Sequence, residues 1–205
     1  MTEINANYFF QDGPDRKHPF LMLHGTGGTE RELLPMAQFV NADSPAIGIR
    51  GRLSEQGMTR YFLHNEEGGF DLDSLSKETD WLLEQFELIA KKLKLNPEDF
   101  TVLGYSNGAN VAAYSLLEKQ PKFKKAILYH PMALKATDKF LDKSGDKAWL
   151  SHGDKDPICS IDNFGALTSF LEASKVDVTV FNHPEKHNIT RDEMVNSKKW
   201  YEKNL

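Results

Sequence analysis

Short apolar runs alternate along this chain with longer segments whose apolar residues recur at helical spacing. The runs are almost continuously apolar, which is typical of strands in a parallel sheet covered on both faces. They span residues 20–23, 46–49, 101–103, 126–129, 148–150 and 176–181. This alternation predicts an α/β fold with a doubly wound, mostly parallel sheet and helices on both of its faces.

Helical patterns are predicted between these strands, and two further segments need separate interpretation. The helices are expected at residues 30–39, 75–95, 109–119, about 162–174, and from Thr190, where Thr190 and Glu193 fit a T-x-x-E capping box. Residues 7–10 suggest an edge strand. Residues 51–73 carry little regular pattern but several aromatics, so we interpret them as the wall of a pocket. The alternative for them is a packed surface loop.

Composition limits the class of protein. The chain has 205 residues with 40% hydrophobic and 27% charged residues, and it has no repeat or linker, which predicts a single domain over 1–205. A net charge of −5 disfavours nucleic acid as a partner. No apolar run reaches the roughly 20 residues of a membrane span. The absence of a signal-peptide pattern and the single cysteine, Cys159, predict a cytoplasmic protein.

The pentapeptide G-x-S-x-G at residues 104–108 is the strongest functional signal. It stands between the apolar run 100–103 and the helical segment that begins at Ala109. A serine in this strand-turn-helix setting sits on a sharp elbow, exposed beside the positive end of a helix. Ser106 is therefore the predicted nucleophile. The plainer alternative is an ordinary turn with a capping serine.

A serine nucleophile needs a base and an acid, and both are expected beyond later strands. Asp154 and Asp156 follow the strand at 148–150. Asp156 precedes Pro157, which favours an extended backbone and makes it the preferred acid; Asp154 remains the alternative. The chain order is then Ser, Asp, His, as in α/β hydrolases.

Two histidines compete for the role of the base. His187, deep in the loop after the last strand, is preferred over His183 at the strand end. His18, His64 and His130 are interpreted as structural or solvated.

Stabilisation of an oxyanion requires N–H donors near the serine. Asn107, directly after the nucleophile, supplies one backbone N–H. The glycine-rich turn 23–29 should supply the second, from Thr26 or, as the second choice, from Gly27. This turn lacks the spacing and lysine of a phosphate-binding loop, and the chain lacks H-E-x-x-H and paired cysteines. No cofactor or metal is therefore expected.

With these motifs in place, the chain resembles the phospholipase/carboxylesterase family of α/β hydrolases, which includes acyl-protein thioesterases. The matching motifs are the turn 23–28, the elbow 104–108, the acid segment 152–157 and His187. The stretch 50–71, with its arginines and aromatics, is similar to the small bacterial branch that contains methylhydroquinone-responsive hydrolases. In this family the second aspartate of the acid segment belongs to the triad, which supports Asp156. The chain departs from the common pattern because His187 follows Lys186 rather than glycine and no separate lid domain is visible.

The resemblance implies a serine carboxylesterase acting on short- to medium-chain or aromatic esters, or on thioesters. The alternatives are a binding protein without turnover and a lactone hydrolase or peptidase with the same triad. The expected partner is a small-molecule ester, and a homodimer is left open. The predicted substrate-binding residues, from the 51–73 segment and from the end of the fourth core strand, are Met58, Arg60, Phe62 and Met132.

Overall fold

A seven-stranded sheet forms the centre of the protein, whose residues 3–205 are described by a computed structural model. The strands are β1 (Tyr8–Gln11), β2 (Phe20–Leu23), β3 (Ala46–Ile49), β4 (Leu53–Glu55), β5 (Met58–Arg60), β6 (Thr101–Tyr105), β7 (Lys125–Tyr129), β8 (Lys147–Gly153) and β9 (Asp177–His183). The order in the sheet is β1-β3-β2-β6-β7-β8-β9, while β4 and β5 pair separately. Every neighbouring pair in the sheet is parallel except β1 with β3.

Within the described part of the chain, five α-helices cover the two faces of the sheet. They are α1 (Leu34–Val40), α2 (Leu72–Lys92), α3 (Asn107–Glu118), α4 (Ile161–Ala173) and α5 (Arg191–Lys203). Successive side chains of a strand point to opposite faces. In β2, Leu21 and Leu23 accordingly join the core cluster beneath α2, α3 and α4, while Phe20 and Met22 join the cluster beneath α1 and α5. The predicted doubly wound α/β fold is confirmed.

Element boundaries differ slightly from those expected. The first helix begins at Leu34 rather than at residue 30, because Pro35 lacks an N–H and fits best in a first helical turn. The capping box of α5 is present, with the Thr190 N–H donating to Glu193 Oε2 at 2.5 Å. The edge strand expected at residues 7–10 is β1, one residue later.

The 51–73 segment contains more regular structure than its sequence indicates. Strands β4 and β5 form a hairpin whose turn residues, Gln56 and Gly57, both have positive φ, at 51° and 77°. A further bridge pairs His64 with Phe70. Strands of three residues are too short for a periodic pattern to appear, which is why the sequence did not predict them.

The 51–73 segment is fastened to the sheet by buried hydrogen bonds. The Gly51 N–H donates to His24 Nε2 at 3.0 Å, and the Tyr61 hydroxyl donates to the Ile49 carbonyl at 2.6 Å. The Tyr61 N–H donates to Asn107 Oδ1 at 2.8 Å. The segment is thereby held beside the start of α3. Within residues 3–205, no helix has the length and apolar character needed to cross a membrane.

Candidate active site

Ser106 occupies a strained turn between β6 and α3. Its φ of 49° and ψ of −112° are rarely adopted by residues with a side chain. A Cβ on Gly104 would lie 2.8 Å from Ala109 Cα, and one on Gly108 would lie 2.1 Å from the Leu23 carbonyl oxygen. Both glycines are therefore required for the turn to close. The geometry matches the elbow that was expected at G-x-S-x-G.

His187 and Asp156 extend from Ser106 in one hydrogen-bonded line. His187 Nε2 is 2.9 Å from Ser106 Oγ, and His187 Nδ1 is 2.6 Å from Asp156 Oδ2. The Asp156 side chain is fully buried, and its Oδ1 accepts the N–H groups of Ile158 and Cys159 at 2.8 and 3.1 Å. Burial alone would raise the pKa of Asp156. The hydrogen bonds from His187 and the two amides outweigh this effect and hold the pKa below its usual range.

The environment of His187 favours its neutral form. Burial lowers the pKa of His187 below its ordinary value, and the hydrogen bond to Asp156 only partly opposes this effect. The Tyr105 hydroxyl donates to the His187 carbonyl at 2.8 Å, so the loop carrying the imidazole is tied to the end of β6. A neutral imidazole with Nδ1 donating to a carboxylate presents its Nε2 lone pair to the serine hydroxyl.

The alternative acid and base lie elsewhere. Asp154 is exposed in the turn after β8, where its N–H donates to the His183 carbonyl at 2.8 Å. His183 is 5% exposed, and its Nε2 is 3.3 Å from Glu193 Oε2. The structure therefore brings Ser106, His187 and Asp156 together and separates Asp154 and His183 from them.

The two residues expected to offer backbone N–H groups, Asn107 and Thr26, both line the cavity at Ser106. Asn107 is the first residue of α3, so its N–H has no acceptor within the helix. Thr26 lines the cavity beside Ser106, and its N–H meets no acceptor among residues 3–205. The Gly27 N–H is already donated to the Thr59 carbonyl at 2.8 Å, which removes the second choice of donor.

His24 orders the turn that carries Thr26, a role that the sequence analysis did not assign. Its Nδ1 is 2.6 Å from the Gly25 carbonyl, while its Nε2 accepts the Gly51 N–H. One nitrogen donates and the other accepts, as in a neutral imidazole. Burial lowers the pKa of His24 accordingly. The H-G pair directly after β2 is the sequence signal that could have indicated this residue.

A cavity of about 530 Å³ opens onto Ser106. This volume is within the usual range for small-molecule sites. Arg60 and Met132, two of the predicted substrate-binding residues, line it. The other lining residues include Thr26, Asn107, Asn110, Tyr105, His64, Phe70, Ile158 and His187.

The other two predicted substrate-binding residues do not line this cavity. Phe62 is completely buried; it packs edge-on against Phe70 with ring centroids 5.7 Å apart, so it supports the wall from behind. That prediction was wrong, because an aromatic in an irregular segment gives no sign of which way it points. Met58 is 41% exposed and lies beside Gly27, outside the cavity lining.

The charge of Arg60 is balanced inside the cavity wall. Glu55 Oε2 is 3.4 Å from Arg60 Nη1 and 2.7 Å from His64 Nδ1. The hydrogen bonds from the His64 N–H groups are the main reason that the pKa of Glu55 lies below its usual value. Burial lowers the pKa of Arg60. The wall beside the serine is therefore polar but close to neutral.

Among residues 3–205, two groups of side chains have the residue types of a metal site: His130, Asp156 and His187, and His130, His183 and Glu193. In the first group, Asp156 and His187 are already engaged with each other. In the second, His183 Nδ1 accepts the Glu185 N–H at 3.3 Å, which leaves the ring proton on Nε2. That nitrogen, 3.3 Å from Glu193 Oε2, therefore carries a proton and has no lone pair to offer a metal ion.

Comparison with known proteins identifies the group to which this site belongs. Residues 69–203 match the family model described as the dienelactone hydrolase family. The chain belongs to this family. The match covers most of the chain, including α3 and both loops that carry Asp156 and His187. The hydrolase MhqD of Bacillus subtilis (strain 168) is 34% identical over 181 residues, which are 88% of this chain and 90% of that protein.

Solved structures with the same fold include a carboxylesterase. A carboxylesterase of Bacillus cereus is 35% identical with a TM-score of 0.94, covering 98% of this chain and 95% of that one. YahD, solved with malic acid, is 36% identical with a TM-score of 0.93, covering 98% of this chain and 100% of that one. The resemblance to small α/β hydrolases is confirmed, and the protein is an enzyme, a serine-type esterase.

Proposed function

We propose that the protein is a carboxylesterase in which Ser106, His187 and Asp156 form the catalytic triad. The observation that carries this proposal is the continuous line of contacts from Ser106 Oγ through His187 to Asp156, at 2.9 and 2.6 Å. Each atom in this line is in the position that general-base catalysis requires. A binding protein without turnover would have no need for the complete arrangement.

The chemistry proceeds in two steps. His187 Nε2 takes the proton of Ser106 as Oγ attacks the ester carbonyl, and the negative charge that develops is stabilised by the N–H groups of Thr26 and Asn107. The C–O bond to the alcohol then breaks, and His187 returns its proton to the leaving oxygen. Water, deprotonated by His187, attacks the acyl-enzyme and releases the acid and free Ser106.

The substrate range follows from the cavity. Met132, Phe70 and Ile158 provide apolar contacts for an acyl or aromatic group, and Ile158 is 59% exposed at the rim. Each methylene that is buried contributes up to about 0.8 kcal/mol, and the gain ends where the chain reaches water. We therefore infer a preference for short- to medium-chain esters, roughly C2–C8, a range that thioesters of similar size would share.

Ser106→Ala tests the nucleophile. The variant should keep its fold, as judged by circular dichroism and melting temperature, and lose turnover of p-nitrophenyl acetate by several orders of magnitude. Because Ser160 also lies in a turn before a helix, at the N-cap of α4, Ser160→Ala provides a matched control with wild-type rates. Wild-type activity in Ser106→Ala would refute the proposal.

The acyl preference is tested separately. kcat/KM for p-nitrophenyl esters from C2 to C16 should peak in the short to medium range. A steady rise through C16 would contradict the inferred limit and leave the triad untouched.

The family match also favours a lactone, which is a cyclic ester, as a second candidate substrate. The same attack by Ser106 would open the ring, and the leaving alkoxide would remain on the acyl chain. Comparing kcat/KM for a set of small lactones with that for the acyclic esters decides between the two. A higher value for the lactones would make them the preferred class.

Three features expected from the sequence stay predictions: a single domain over 1–205, a cytoplasmic location and a homodimer. Burial, reinforced by the charge of Asp156, raises the pKa of the Cys159 thiol to about 12, which supports an unreactive cysteine.

The homodimer could form at an edge of the sheet. Strand β9 is one edge of the sheet, and Val180 is 41% exposed there. Sedimentation equilibrium would decide the oligomeric state.

A further inference from the structure

His130 lies against Asp156 and has no part in the reaction described above. It follows β7 and is 1% exposed. Its Nδ1 is 3.3 Å from Asp156 Oδ2, the same oxygen that contacts His187. Its Nε2 is 3.1 Å from Glu193 Oε1. One buried imidazole therefore bridges two carboxylates, both of which have fully buried side chains.

The backbone holds this imidazole in place. His130 has a φ of 52°, a conformation that is uncommon for a residue with a Cβ. Its N–H donates to the Ser151 carbonyl at 3.2 Å, which ties the end of β7 to β8. A strained conformation of this kind persists only where its surroundings enforce it. The backbone is thus fixed where the ring contacts both carboxylates.

The two contacts indicate the protonation state of His130. A neutral imidazole donates from one nitrogen only, so one carboxylate would face a nitrogen lone pair. An imidazolium donates from both nitrogens and supplies the positive charge that two buried carboxylates need. The doubly protonated ring is therefore the form whose charge balances both neighbours, through a hydrogen bond to Asp156 and an ion pair with Glu193.

Glu193 is surrounded by donors, as expected for an ionised carboxylate. Its Oε2 accepts the Thr190 N–H at 2.5 Å and lies 3.3 Å from His183 Nε2. Burial would raise the pKa of Glu193, but the nearby side chains of His130 and Ser151 and the hydrogen bond from the Thr190 N–H hold it below its usual range. Because Glu193 stays charged, it and Asp156 jointly require a cation between them.

We propose that His130 is a positioning residue of the esterase reaction, held as an imidazolium between Asp156 and Glu193. It acts through Asp156, whose carboxylate it orients toward His187, and this role rests on the proposed triad. Its charge also faces His187, with ring centroids 4.9 Å apart. A neighbouring positive charge disfavours a second one, so His130 keeps His187 neutral and active at lower pH.

Other titratable groups also face these two rings. Those around His130 are Asp156, Glu193, His183, His187 and Tyr105. Those around His187 are Asp156, His130, His152 and Tyr105. The proposed effect must therefore be separated from that of the other buried histidines.

The first test uses the wild-type protein and does not depend on catalysis. Nitrogen-15 NMR of the imidazole rings at pH 7 should show both nitrogens of His130 protonated, whereas His183 should show the neutral form with its proton on Nε2. An unprotonated nitrogen in His130 would overturn the proposal. This measurement does not depend on Ser106. The proposal for His130 can therefore fail while the proposed function holds, and the proposed function can fail while His130 is doubly protonated.

The second test compares two buried histidines that both contact Glu193. In His130→Gln the neutral amide removes the charge beside His187, and the acid limb of kcat/KM should move to higher pH by about one unit. In His183→Gln, which leaves the contact between His130 and Asp156 intact, the limb should stay at its wild-type position. An unchanged limb in His130→Gln, or an equal shift in both variants, would overturn the proposal. If His130→Gln does not fold, the NMR measurement decides.

Discussion

The side chain of Asn107 accepts the backbone N–H of Tyr61 at 2.8 Å, so the residue after the nucleophile also holds the wall of the cavity. Asn107 is 2% exposed, and its own N–H is one of the two proposed oxyanion donors. Asn107 therefore links the proposed reaction centre to the 51–73 segment, from which Arg60 and Phe70 line the cavity.

Asn107→Ala should loosen this wall without removing the backbone donor. The buried Tyr61 N–H loses its acceptor, which costs about 1–2 kcal/mol in the free energy of unfolding. KM should rise more than kcat falls, because the wall contributes to binding. Urea unfolding and steady-state kinetics measure the two effects. An unchanged free energy of unfolding together with an unchanged KM would contradict this explanation.

Asp156→Asn and His187→Ala should each lower kcat by several orders of magnitude. The amide cannot orient and stabilise His187 as the carboxylate does, and alanine removes the base altogether. Because the members of a triad act as a unit, removing one of them abolishes most of the rate enhancement that the others contribute. The double variant should therefore be little slower than the more impaired single variant. Kinetics with p-nitrophenyl acetate measure this. Asp154→Asn and His183→Ala are the matched controls, and a larger loss in either would reassign the triad.

The pH dependence of kcat/KM should follow the base. Burial holds the pKa of His187 below 6.5, so activity should rise with pH and reach half its plateau below that value. Asp156, whose pKa is also lowered, stays ionised through this range. Below the midpoint His187 becomes protonated and cannot accept the serine proton. Measuring kcat/KM between pH 4 and 9 checks the direction of this dependence, and a midpoint above 6.5 would contradict the prediction.

Two glycine substitutions should change stability in opposite directions. An alanine Cβ at Gly108 would lie 2.1 Å from the Leu23 carbonyl oxygen, so Gly108→Ala must displace backbone and should destabilise the fold by more than about 2 kcal/mol. Gly165, inside α4, has open space around its Cβ position. Gly165→Ala should stabilise by about 0.5–1 kcal/mol because alanine favours the helix. Urea unfolding compares them, and similar values would refute the steric argument.

The sequence predicted the sheet and the sharp turn at Ser106 because each depends on local patterns. Continuous apolar runs and a pair of glycines act over a few residues. Asp156 and His187 lie in one line of contacts with Ser106, and their roles as acid and base stay predictions. The position of Phe62 could not be predicted in the same way, because Arg60, two residues earlier in the same segment, lines the cavity whereas Phe62 is completely buried.

Contacts between residues that are distant in sequence could not be predicted either. His130 and Glu193 lie far apart in sequence, and nothing near either residue indicates that they meet beside Asp156. His24 is different, since its place before Gly25 marks the turn, although its acceptor role toward Gly51 depends on the folded segment.

The hydrogen bond from the Tyr105 hydroxyl to the His187 carbonyl affects how the enzyme loses activity on heating. Tyr105 directly precedes the nucleophile, so the base loop is fastened to the strand that presents the serine. Slow drift of the loop away from an intact sheet would first have to break this bond. Thermal inactivation should therefore coincide with melting of the whole protein, and cooling from just below that temperature should restore full rates.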